Sequence, residues 1–172
     1  MFKRILVPTD GSAISARACE YARDLAIEGN AQLVVVHAFI QPPPYLTYLG
    51  EEWLYREYES RIMRGRQVTC QVVNRLRKAG LDVIEHVLRG PPADAILRTA
   101  SACQCDLIVM ASRGRGKVMG LLLGSVSRSV LARAKIPVLI INARMGRDCN
   151  QGLNRSRYGR ISIERQGHGR WT

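Results

Sequence analysis

The sequence has no apolar run approaching the roughly 18 residues that a helical bilayer crossing needs, which argues against a helical membrane protein. It also lacks a leader pattern. Met1-Phe2-Lys3-Arg4 runs directly into Ile5-Leu6-Val7, with no extended apolar segment or small-residue cleavage site, so a cytoplasmic chain is expected. Cysteine is present without a framework: the five residues, at 19, 70, 103, 105 and 149, are odd in number and irregularly spaced. This argues against a disulfide-stapled scaffold and suits free thiols in a reducing compartment. No second Cys/His pair lies near Cys103-Gln104-Cys105 in the sequence, so no metal site is expected. Acidic residues are scarce, 14 against 26 Lys and Arg, for a net charge of +12. Such a chain can bind nucleic acid or an anionic surface. The plainer reading of the main body is a solvated, arginine-rich surface.

Enough apolar residues are present for a real core. The chain has 172 residues, 47% apolar and 23% charged, which fits one globular domain. Apolar strands alternate with helical segments throughout. Phe2 to Pro8 reads as a buried strand, and Ser12 as the N-cap of a helix reaching about Glu28, stopped by Gly29-Asn30. Leu33 to Val36 marks a second strand. Three consecutive prolines, 42 to 44, break the chain before a long helical segment over 51–79. Its two apolar stripes, Leu54-Tyr58-Ile62 and Val68-Val72-Leu76, are separated by a step of six with Gly65 inside, so a bend or break is expected there. Leu81 to Leu88 alternates apolar and polar residues, as an edge strand does. A helix over 93–102, a strand over 106–110, a helix over 126–135 and a strand over 136–141 complete the order.

Strict β-α alternation implies an open, five-stranded parallel sheet covered by helices on both faces. Ligands bind such sheets beyond the strand C-termini, where the strand order reverses. Residues 1–143 are read as this domain. Residues 144–172, with seven arginines against two acids and no apolar periodicity, are read as a basic, disordered tail. The tail offers an alternative route to nucleic-acid binding.

The stretch Met110 to Ser127 is the most informative. A buried strand opens into a loop with glycines at 114, 116 and 120 and cations at Arg113, Arg115 and Lys117, then reaches Gly124-Ser125 at a helix start. Glycine exposes backbone N–H groups, and a helix start adds unpaired donors and a positive dipole end. The pattern suits phosphate. The Gly-x-x-x-x-Gly-Lys-Ser/Thr ending of a P-loop is missing, which weighs against a fast ATPase.

Together these residues resemble the universal stress protein family over positions 2 to about 142. Ile5 to Ser12, Val35 to Ala38, Gly90 to Ile96 and Asp106 to Met110 are similar to its successive signatures. Ala111, Gly114 and Gly124-Ser125 are similar to the glycine pattern of its ATP-binding branch, with alanine in place of the first glycine. Alanine would be strained there if the position needs a positive φ, and tolerated if it needs only a small side chain.

The resemblance implies a Rossmann-like sheet of strand order 3-2-1-4-5, of the adenine nucleotide alpha hydrolase type. It implies ATP, with Mg²⁺ or Mn²⁺ bridging the phosphates, held between two loops. Asp10 would face the nucleoside, with Pro8 and Thr9 shaping the pocket; Ala38 would face the adenine edge and Met110 the base or ribose. Gly114, Gly124, Ser125, Val126 and Ser127 would line the phosphates, and Ala111 belongs to the same nucleotide-binding set. Arg113 adds positive charge beside that pattern on physical grounds. The implied function is a stress-response regulatory module with slow ATPase activity at most and no assigned catalytic residue. A homodimer through the last strand, 136–141, is also implied. The alternative within the family is a dimer that binds no nucleotide.

Overall fold

The computed structural model describes residues 1–40, 50–112 and 123–142. Arg113, Gly114 and the other glycines and cations of the loop lie outside the described residues, as does the tail. Nine elements alternate along the chain: β1 (Arg4–Pro8), α1 (Ala13–Gly29), β2 (Gln32–Phe39), α2 (Glu51–Lys78), β3 (Val83–Arg89), α3 (Pro92–Ala102), β4 (Leu107–Ala111), α4 (Ser125–Arg133) and β5 (Val138–Ile141). The sheet order is β3-β2-β1-β4-β5 and every pairing is parallel. Both the expected fold class and the expected strand order are observed. No helix among the described residues is long and apolar enough to cross a membrane.

The strand sequences explain the layering. Successive strand side chains point to opposite faces, so a strand covered on both faces must be apolar throughout. Ile5, Leu6 and Val7 are fully buried, as are Leu33, Val34 and Val35. Ile5, Val7, Leu33 and Val35 pack under α1 and α2, whereas Leu6, Val34 and Ile108 pack under α3 and α4. Each such side chain contributes about 1.5–3 kcal/mol on burial, and these central strands hold the sheet. β3 lies at the edge, and its mixed burial matches its alternating sequence. Pro137 precedes β5 at the opposite edge, where its carbonyl accepts from the Ile108 N–H at 3.0 Å.

Helix ends follow from local chemistry. The Ser12 hydroxyl accepts from the Ser15 N–H at 3.2 Å and caps α1. Asn30, with φ of 48°, ends it in the left-handed region. The expected break in α2 is absent: the helix runs from Glu51 to Lys78. Gly65 is buried, in the gap between the two apolar stripes. A Cβ there would lie 2.8 Å from His37 Cδ2 and 2.9 Å from Val87 Cγ1. Its missing side chain is a close approach of helix to sheet, which periodicity alone reads as an interruption.

Candidate functional site

β1 pairs with β2 on one side and β4 on the other. Chain order therefore reverses between β1 and β4, where an open parallel sheet leaves a crevice at its carboxyl edge. Pro8 ends β1 and leads into Thr9-Asp10. Ala38 lies near the end of β2, paired with Leu88. Met110 and Ala111 end β4, paired with Ile140 and Ile141. The described residues expected at the site thus fall along the carboxyl edge of three neighbouring strands and at the start of α4.

The central loop is tightly tied. The Thr9 N–H donates to the Val36 carbonyl at 2.9 Å, extending the β1–β2 ladder. The Thr9 carbonyl meets His37 Nδ1 at 2.8 Å. His37 therefore positions the loop through its ring. Gly11 takes φ of 77°, a conformation that favours glycine. Asp10 Oδ1 accepts from the Ser12 N–H at 3.0 Å, so this carboxylate also shapes the turn into α1.

The second wall is the start of α4. Gly124 is its N-cap and cannot supply a capping side chain, and its first turn has no acidic residue. The first intrahelical bond there runs from the Arg128 N–H to the Gly124 carbonyl at 3.0 Å. The N–H groups of Ser125, Val126 and Ser127 precede it and have no intrahelical acceptor. The other helices differ: α1 is capped by Ser12, α2 opens with Glu51 and Glu52, and α3 carries Asp94 in its first turn. Among the described residues, α4 alone has neither a capping side chain nor an acid to meet its positive end.

Ser112 organises this wall and went unnoticed in the sequence. Its N–H donates to the Ile141 carbonyl at 2.8 Å. Its carbonyl accepts from the Gly124 N–H at 2.7 Å and from the Ser127 hydroxyl at 2.8 Å. Its own hydroxyl is buried and, among the described residues, has no hydrogen-bond partner. Burying a hydroxyl without a partner costs about 1–3 kcal/mol, so a ligand acceptor here would recover stability. The sequence signal was a small polar residue directly after a fully buried strand.

Several expected side chains have other roles. Ser127 is buried, and its one hydroxyl proton is directed at the Ser112 and Gly124 carbonyls, leaving its backbone N–H as the group to offer an anion. Met110 and Val126 pack into the core under α3 and α4. Ser125 is exposed at the helix mouth. Ala111 sits on extended strand backbone; among the described non-glycine residues only Asn30 and Gln104 take positive φ. Alanine is therefore unstrained at 111. Gly124, at φ −72° and ψ 166°, is likewise in a region open to any residue. What a side chain there would take away is room at the mouth of α4. A groove of roughly 500 Å³ between α2 and β3, lined by Phe39, Tyr58, Arg66 and Arg89 among others, contains none of these residues.

The universal stress protein family model matches residues 1–142. A universal stress protein of Thermus aquaticus, encoded 3′ of a QAH/OAS sulfhydrylase, is 40% identical over 141 residues, covering 82% of this chain and 99% of the relative. Among solved structures, hypothetical protein MJ0577 superposes with a TM-score of 0.74 at 23% identity, over 85% of this chain and 99% of that one. A universal stress protein in complex with cAMP is 30% identical, with a TM-score of 0.58 over 81% of this chain and 96% of that one.

Proposed function

The chain belongs to the universal stress protein family, and on that premise we propose that it is an ATP-binding regulatory module. The nucleotide would lie across the carboxyl ends of β2, β1 and β4. The observation that carries this reading is the start of α4, where uncapped N–H groups adjoin Ser112, whose buried hydroxyl has no hydrogen-bond partner among the described residues, at the reversal of strand order. Phosphate oxygens are the acceptors such a wall needs. The adenine would meet the backbone at Ala38, and the nucleoside would meet Pro8, Thr9 and Asp10. Arg113 and Gly114 would extend the phosphate contacts. The relative solved with cAMP supports an adenine nucleotide as the ligand class.

Mg²⁺ or Mn²⁺ would be held mainly by phosphate oxygens and water. The cation would offset phosphate charge. The protein's own part is to bind and orient the nucleotide. Hydrolysis would be slow at most, because the loop lacks the Lys-Ser/Thr ending of a P-loop. Nucleotide binding would tie the β1 loop to α4 and bias contacts made by the neighbouring β5 edge, the expected homodimer surface.

The test is equilibrium binding of ATP to the purified full chain at millimolar Mg²⁺, with extraction of any co-purified nucleotide. Asp10→Asn, which keeps an acceptor for Ser12 but removes its charge, and Gly124→Val, which fills room at the mouth of α4, should each weaken binding by about tenfold or more, roughly 1.4 kcal/mol. No measurable ATP affinity would sink the proposal. Tighter binding of cAMP than of ATP would replace the triphosphate with a cyclic monophosphate.

A further inference from the structure

The end of α3 carries two cysteines in unlike settings. Cys103 is the C-cap, and Gln104 follows in the left-handed region with φ of 52°. The Cys105 N–H donates to the Ala100 carbonyl at 2.8 Å and the Gln104 N–H to the Ser101 carbonyl at 3.1 Å. These are the paired bonds of a Schellman motif. Cys105 is 6% exposed and packs in the core. Burial, with smaller contributions from Cys103 and Asp106, pushes its thiol up to about 11.

Cys103 is only half-buried, and its Sγ shares a hydrogen bond with His86 Nε2 at 3.6 Å. His86 projects from edge strand β3. Arg4 donates from Nη1 to the Cys103 carbonyl at 3.0 Å, bringing a fixed cation to the same corner. The nearby carboxylate of Asp106 is engaged by the backbone N–H groups of Lys3 and Arg4, at 2.7 and 3.1 Å. The other described cysteines lack this setting: Cys19 is buried in the core, and exposed Cys70 meets the side-chain amide of Asn74 at 3.2 Å.

We propose that Cys103 is a nucleophilic modification site, activated by His86, that exchanges with low-molecular-weight disulfides and carries the resulting mixed disulfide. The thiolate is the attacking species in such exchange. His86 accepts the Cys103 proton along the existing hydrogen bond, and the Arg4 guanidinium favours the resulting anion. Sγ attacks one sulfur of the small disulfide. A new S–S bond forms at Cys103, the original S–S bond breaks, and the departing thiolate takes the proton from the His86 imidazolium. One small thiol is released for each adduct. Cys105 is two residues away, but it is buried and protonated at neutral pH, so the adduct persists instead of closing to an intrachain disulfide. The cation at Arg4 favours an anionic disulfide such as glutathione disulfide.

The experiment treats the full chain with glutathione disulfide at neutral pH and follows each cysteine by peptide mass mapping. Cys103 should form its adduct about tenfold faster than Cys70 in the same molecule, the advantage of a thiol hydrogen-bonded to a base over one that is not. His86→Ala should bring the Cys103 rate down to that of Cys70. Cys105→Ser should leave both rates unchanged, and unmodified Cys19 reports an intact fold in each variant. Equal rates at Cys103 and Cys70, a ratio unaffected by His86→Ala, or a Cys103–Cys105 disulfide in place of the adduct would overturn the proposal.

Discussion

Replacing Gly65 by alanine opposes two effects of known size. Removing glycine from a helix interior stabilises by about 1 kcal/mol. Against that, the added Cβ would stand 2.8 Å from His37 Cδ2 and 2.9 Å from Val87 Cγ1. Ordinary carbon contacts lie at roughly 3.5–4.0 Å, so each neighbour must give by about 0.6 Å or more. Neither yields easily: the His37 ring is held at the Thr9 carbonyl, and Val87 is β-branched on a strand. Overpacking of this kind costs about 1–3 kcal/mol. The expected net effect is a loss of about 1 kcal/mol, or a Tm lower by about 2–4 °C. Urea or thermal denaturation measures it. In a His37→Ala background the same substitution should cost less, giving a coupling of about 0.5 kcal/mol or more in a double-mutant cycle. ATP affinity should fall as well, since His37 positions the Thr9 loop. A Gly65→Ala protein that gains the full helix-propensity increment would refute the close-approach argument.

Two further outcomes are expected. The Cys19 thiol is held up to about 12, chiefly by burial and then by Glu20 and Asp10, against an ordinary value of 9.0. Between those two values the unfolded chain loses its proton first, so stability should fall as pH rises, by at most about 1.4 kcal/mol per pH unit from this thiol. Cys19→Ala should flatten the decline of the urea midpoint above pH 9, and equal slopes for the two proteins would refute this. Truncation after residue 143 should leave the proposed dimer, by sedimentation, and the proposed ATP affinity intact, with any salt-sensitive nucleic-acid binding lost; a monomeric truncated chain beside a dimeric full chain would refute a β5 contact in favour of the tail.

Much of the fold was legible because its signals are local. Continuous apolar runs marked the buried strands, and alternation in Leu81 to Leu88 marked β3 as an edge strand. Gly65 was misread because its reason is non-local: His37 and Val87 come from two other strands, and periodicity along α2 is blind to them. The loops expected to form the site follow strand ends that the apolar runs mark, and these ends are where expected. The bonding within those loops was not legible, since Ser112 is an unspecified position of the glycine pattern and its role depends on donors 12 and 15 residues later. The question posed by Ala111 turned on backbone conformation, and extended backbone in β4 answers it.

The paired bonds at the Ser112 carbonyl have a consequence for how this protein can vary. They clasp the two ends of the 113–123 segment together on the framework itself, with the Gly124 N–H only 2.7 Å away. Chain between fixed ends is cheap to lengthen, at about 0.6 kcal/mol per doubling. The length of chain between these two anchors can therefore vary while the clasp keeps α4 seated against β4.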